Sequence, residues 1–132
     1  MKIRQQEGGS ALELAIILPV MILIVFGIIE FGLILYNQQI ITNASREGAR
    51  AGIVARSPRL SSGEITNVVN AYCSGNLVTF GSAISPNVSI NNTGGTSFGD
   101  DLEVQVTWRY EFLVLPDYLD RDLLARTVMK YE

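Results

Sequence analysis

The chain of 132 residues has no histidine and a single cysteine, Cys73. Without histidine, the residue that most often carries protons near neutral pH is missing. One cysteine permits no disulfide within the chain, and the usual Cys/His zinc sites are excluded. Charge is also scarce. Only 17% of residues are charged and the formal net charge is −3, so there is no basic surface to hold nucleic acid by its phosphates. No Ser or Cys stands in a nucleophile motif such as G-x-S-x-G. The carboxylates beyond the apolar run described next are scattered singly. The composition therefore points away from an enzyme, and no catalytic residue, metal site or cofactor is assigned.

What the sequence does have is apolar residues, unevenly placed. Leu14 to Tyr36 is 23 residues, of which 19 are apolar and one, Glu30, is charged. The remaining 109 residues contain 44 apolar ones, slightly below the ~45–50% of soluble domains. A membrane-spanning helix needs ~20 mainly apolar residues, and a helix satisfies its own backbone in lipid where an open strand does not. The segment thus predicts one span, about 14–36, joined to a small polar domain. Lys2 and Arg4 precede it and no Lys or Arg follows until Arg46. The positive-inside rule then places the N-terminus in the cytoplasm and the chain from about Asn37 outward on the far side. A conventional cleaved signal would need a shorter apolar core and a small-residue cut site after it. Phe26-Gly27-Ile28-Ile29-Glu30-Phe31-Gly32 supplies neither.

The segment just before the span carries a second signal. Gly8-Gly9-Ser10-Ala11-Leu12-Glu13 follows a short leader with Lys2 and Arg4. This resembles the prepilin cleavage motif of type IV pilins and pseudopilins. The resemblance implies a prepilin peptidase cutting after Gly8, which makes Gly9 the first residue and Glu13 the fifth. It also implies that Glu13 pairs with the free amine of Gly9 in a neighbouring subunit. The alternative for Glu13 is an interfacial carboxylate favouring a helix N-terminus. Glu30 lies 17 residues on, toward the outer face of the membrane. It is read either as a contact to another subunit, or as an acid that reaches the outer headgroups or is kept protonated by desolvation. Pro19 removes a helix donor and predicts a bend.

Beyond Tyr36 the chain turns polar without a helix-breaking signal. Ile40, Ile41, Ala44, Gly48, Ala51, Gly52 and Ala55 recur near every third or fourth residue, which continues the helix amphipathically. Arg56-Ser57-Pro58 predicts its end. Ala44, Gly48 and Gly52 form a line of small residues, a surface for close helix packing. That line faces the chain's own outer domain in the first reading and another subunit in the second. Phe26 to Gly32, Tyr36, and Asn43-Ala44-Ser45-Arg46-Glu47-Gly48-Ala49-Arg50-Ala51 closely resemble the TadE-like family, over about Gly9 to Val54. That family comprises pilin-like proteins of the bacterial tight-adherence (Flp pilus) machinery. One departure is Leu14 after Glu13, where related prepilins often carry an aromatic.

In the outer part, Ser61-Ser62-Gly63-Glu64 reads as a capping box opening a short helix with Ile65, Val68, Val69 and Tyr72 on its apolar face. Gly75 is its stop. Leu77–Phe80 and Asn87–Asn91 read as short strands. Leu102–Leu115 alternates cleanly and predicts a long strand with one wet face. Leu123–Tyr131 reads as a strand paired with it. Asn91 to Asp101 is a Gly-rich hairpin loop, with an oxygen-rich calcium site as its alternative. Cys73 reads as a small core residue.

The expected architecture is α+β: a leader over 1–8, a long helix over 9–56, and an extracytoplasmic domain over 57–132 with a short helix and a small antiparallel sheet. The expected function is a non-enzymatic pilin-like subunit at the bacterial inner membrane, able to enter a pilus. Its partners would be membrane lipid, other pilin or pseudopilin subunits, the prepilin peptidase and the pilus assembly machinery. The rival expectation is a permanently membrane-anchored periplasmic binding or sensor module.

Overall fold

The structure is a computed structural model that describes residues 4–79, 85–93, 95–112 and 121–132. Its elements are α1 (Arg4–Ile53), α2 (Ser62–Ser74), β1 (Asn87–Thr93), β2 (Asp101–Tyr110) and β3 (Arg121–Lys130). They form the α+β arrangement expected. The chain falls into two compact units, Met1–Gly32 and Leu33–Glu132, which divide inside α1.

Helix α1 takes in the leader residues from Arg4 and runs through Pro19 without interruption. It stops at Ile53, short of Arg56. The Arg59 guanidinium donates to the Ile53 carbonyl at 3.3 Å, which satisfies one of the carbonyls that a helix end leaves open. The chain turns there, before the proline restriction at Ser57-Pro58 takes effect.

Helix α2 starts as its sequence dictates. The Ser61 side chain accepts from the Glu64 N–H, and the Glu64 carboxylate accepts from the Ser61 N–H at 2.8 Å. Ile65, Val69 and Cys73 are its buried residues, one stripe at intervals of four. Gly75 caps the end.

The sheet has β2 in the centre, with β1 and β3 antiparallel on either side. In β2, Leu102, Val104, Val106, Trp108 and Tyr110 are buried, while the residues between them face outward. In β3, Leu123 and Ala125 continue the same face. Strand β2 ends at Tyr110, earlier than the alternation suggested. Tyr110 pairs with Arg121, the first residue of β3. Residues 113–115 of the expected strand and the turn at Pro116-Asp117 lie outside the described residues.

The expected strand over Leu77–Phe80 is not formed at Leu77, Val78 or Thr79, and Phe80 lies outside the described residues. The reason is a long-range contact. The Asn37 side chain takes both backbone groups of Val78: its Nδ2 donates to the Val78 carbonyl at 2.8 Å, and its Oδ1 accepts from the Val78 N–H at 2.9 Å. An amide side chain stands where a neighbouring strand would otherwise pair.

The core of the second unit lies between the Leu33–Ile53 part of α1, α2 and the sheet. It joins Ile41, Ala44 and Ala49 with Ile65, Val69, Leu102, Val104 and Trp108. Two further polar contacts fix α1 there. Gln38 donates to the Leu124 carbonyl at 2.9 Å. Ser45 Oγ donates to the Thr42 carbonyl and lies 2.7 Å from Thr127 Oγ1, which is left as the donor of that pair.

Candidate functional site

The candidate site is α1 itself, and its two halves meet different environments. Every residue from Gly9 to Ile29 is exposed, including Leu12 at 65% and Leu23 at 65%. Among the described residues, one helix, Gly9–Ile53, is long and apolar enough to cross a membrane, with a mean hydropathy of 2.9 over its most apolar 18 residues. A helix apolar all round fits a lipid or helix-bundle surrounding, since water would leave that surface uncompensated. One long apolar N-terminal helix therefore fits a membrane anchor.

The acidic and glycine positions separate along it. A side chain at Gly9 would meet nothing within 4 Å. Glu13 is exposed, and makes no hydrogen bond or ion pair with the described residues. Gly8 lies in the helix. Glu30 differs from its surroundings on the helix, being 4% exposed between the exposed Ile29 and Phe31.

The small-residue line is occupied by the chain's own domain. A Cβ at Gly48 would sit 2.5 Å from Val69 Cγ2 and 3.6 Å from Val104 Cγ1. At Gly52 it would sit 2.5 Å from Leu102 Cδ2 and 2.8 Å from Ile65 Cδ1. Ala44 is fully buried. These glycines let α2 and β2 approach the α1 backbone, and at both positions the space that another subunit would need is taken.

The hairpin loop between β1 and β2 holds itself together through the groups considered for a cation. Asp100 Oδ2 accepts from the Ser97 N–H at 2.8 Å, and Asp101 Oδ1 lies 3.1 Å from Lys130 Nζ. Among the described residues, no group of three or more His, Cys, Asp or Glu side chains gathers as a metal site would. Cys73 is fully buried, and burial pushes its thiol up to about 11, as for a core cysteine with no reactive setting.

Sequence reasoning missed two things here. Asn37 and Ser45 are fully buried polar residues; on sequence alone, Asn37 reads as the start of the wet half of the helix. A cavity of about 260 Å³ near Trp108 also went unforeseen, because its walls come from separate segments.

The arrangement defines a class of protein: one long apolar helix whose second half is built into a small α+β unit. Comparison with known families places it further. The family model described as TadE-like protein matches residues 8–50, wholly within α1, so this region is TadE-like. No curated protein and no solved structure matches the chain at a significant level.

Proposed function

We propose that the chain is a non-enzymatic pilin-like subunit, a TadE-like pseudopilin or minor pilin, that supports assembly of an adhesive Flp/Tad-type pilus. The observation that carries this reading is the coincidence of the TadE-like match at 8–50 with a helix exposed on all sides from Gly9 to Ile29. The chain enters the inner membrane with its N-terminus in the cytoplasm, spans it over about 14–36, and carries the chain from about Asn37 outside. A prepilin peptidase removes residues 1–8, leaving Gly9 as the first residue. The apolar helix stays attached and becomes the core of an assembly with other pilin-like subunits. Glu13 has no partner within the described chain, which suits a carboxylate that meets the amine of Gly9 on a neighbour. An ionised carboxylate beside lipid is costly unless paired, so such pairing favours transfer of the helix into an assembly.

Intact-mass measurement of the membrane protein tests the reading. Loss of Met1 to Gly8 is expected. An intact N-terminus supports the permanent anchor with a periplasmic binding or sensor role. Glu13→Ala is expected to be cut normally and to assemble poorly. Normal incorporation of that variant into filaments overturns the role given to Glu13.

A further inference from the structure

The predicted span and the outer unit share one turn of α1. Leu14 to Tyr36 is 23 residues, which at 1.5 Å per residue is ~34 Å of helix against a hydrocarbon core of ~30 Å. The last few residues therefore pass beyond the hydrocarbon into the headgroup layer, which adds ~5–7 Å on each side. The outer unit starts at Leu33, and Leu33 and Ile34 pack against its core. No spacer helix stands between span and fold.

The uncovered side of that turn has a border of its own. Leu35 is 56% exposed and Tyr36 46%. The next exposed positions on α1 are Gln39, Arg46 and Arg50, all polar. The open face thus changes from apolar to polar just after Tyr36. The headgroup level favours a tyrosine at such a border, because its ring is apolar and its hydroxyl can stay wet.

The sheet reaches the same level. Strand β2 runs back along α1, with Leu102 against Gly52 and Val104 against Gly48. Gln38 donates to the carbonyl of Leu124, which stands opposite Thr107. From Gln38, Leu33 lies five residues toward the span, ~7.5 Å along the helix. From Thr107, Tyr110 lies three residues on, ~10 Å along the strand. The end of the sheet thus comes down at least as far as the shared turn. Tyr110 is buried there, and Arg121, opposite it, is exposed. Arg121 falls in the alternation of the buried Leu123 and Ala125, so it projects on the side of the sheet where α1 lies. Its guanidinium makes no hydrogen bond or ion pair with the described residues. On the other face Asp122 stands opposite Arg109, and those two charges balance.

We infer that the outer unit is seated in the headgroup layer of the outer leaflet, with Leu35 and Tyr36 at the hydrocarbon edge and Arg121 facing the lipid phosphates. Lipid is the partner because α1 is unbroken from Arg4 to Ile53, so the phase that surrounds the span also meets the turn that ends it. Charge agrees. A basic residue gains at a bilayer surface that carries anionic lipid, and a guanidinium can hold a phosphate through two donors at once. The seat rests on the membrane-anchor reading and goes beyond it, since an anchor by itself does not require its outer unit to touch the bilayer.

Spin-label depths on the full chain test it. Val25→Cys, Tyr36→Cys, Asp122→Cys and Ser97→Cys are each reconstituted in vesicles of phosphatidylcholine and phosphatidylglycerol. All four positions are exposed, and the native Cys73 is buried and takes no label. Collisions with oxygen and with a water-soluble nickel chelate read the depth of each label. The label at 25 is expected in the hydrocarbon. Those at 36 and 122 are expected in the headgroup layer, no more than ~7 Å outside the hydrocarbon edge. The label at 97 is expected in water. Its loop ends at Asp101, eight residues along β2 from Arg109, the partner of Asp122, or ~27 Å farther out. A label at 122 as open to nickel as that at 97, with the label at 25 in hydrocarbon, overturns the seat and leaves the anchor standing. A label at 25 open to nickel overturns the anchor and the seat together. Arg121→Glu, added to the Asp122→Cys chain, sets a carboxylate among phosphates and is expected to shift that label outward. An unchanged depth overturns the contact between Arg121 and phosphate.

Discussion

Gly48→Ala probes how closely α1 is packed. In a helix interior glycine costs about 0.5–1 kcal/mol relative to alanine, so with open space the substitution would stabilise. At Gly48 the new methyl meets Val69 Cγ2 at 2.5 Å. Val69 is β-branched and sits inside α2, where one χ1 rotamer dominates, so that methyl cannot swing away. Overpacking of this kind costs about 1–3 kcal/mol, and the net expectation is a loss of about 0.5–2 kcal/mol. Gly52→Ala is the internal control. Its methyl meets Leu102 Cδ2 at 2.5 Å and Ile65 Cδ1 at 2.8 Å, the far ends of longer side chains that can turn. Gly52→Ala should therefore fall within about 1 kcal/mol of neutral, once the helix gain is counted. Hydrogen exchange of the α2 and β2 amides in the detergent-solubilised full chain reads both. Adding Val69→Ala should relieve Gly48→Ala, with a coupling of about 0.5–3 kcal/mol for residues in direct contact. Equal protection of the two glycine variants, or strict additivity of Gly48→Ala with Val69→Ala, refutes the packing argument.

Asn37→Ala leaves the Val78 N–H and carbonyl without their partner. Val78 is partly exposed, so water offsets some of the loss and each hydrogen bond is worth about 0.5–1.5 kcal/mol; limited proteolysis should open the chain near Asn76–Thr79 while the β2 amides stay protected, and unchanged cleavage counts against the clamp. Hydrogen bonds from the Ser61 backbone and hydroxyl hold the Glu64 carboxyl below its ordinary value of 4.5. A carboxyl depressed in the folded state contributes stability that is present above the unfolded value and is lost as pH falls through the folded one. Acidification below 4.5 should therefore loosen the first turn of α2, measured as faster amide exchange at Ile65 and Thr66 after correction for intrinsic rates. Glu64→Gln should flatten that dependence, and an unchanged pH profile in the variant would assign it to another group.

The outer strands and the helix cap were legible because their signals are local and periodic. Leu102 to Tyr110 alternates at period two, and the structure buries every second residue of that run. Ser61 and Glu64 needed only each other to start α2. Leu77–Thr79 misled because its β-prone residues have their backbone bonded by Asn37, 41 positions earlier. No window of sequence contains both partners. The cavity was hidden for the same reason, since Asn70, Pro86 and Trp108 come from three separate stretches.

The same contrast explains how one helix can serve two surroundings with no break signal between them. From Asn37 the buried positions Asn37, Ile41, Ala44, Ser45, Gly48, Ala49 and Gly52 recur at helical spacing. Two of them are polar, and both find partners at named places, Val78 and Thr127. Sliding α1 by one turn, ~5.4 Å, would carry Asn37 and Ser45 away from Val78 and Thr127, and in one direction would press Ala44 into the room that Gly48 leaves. Apolar packing alone would tolerate such a shift better than these hydrogen bonds do. The outer unit thus fixes the rotation and register of Leu33–Ile53. Gly9 to Ile29 lacks any buried position, so nothing along that stretch selects one face over another. A surface of this kind suits lipid and a ring of neighbouring helices equally well, and passage from one to the other requires no change in the fold of the outer unit.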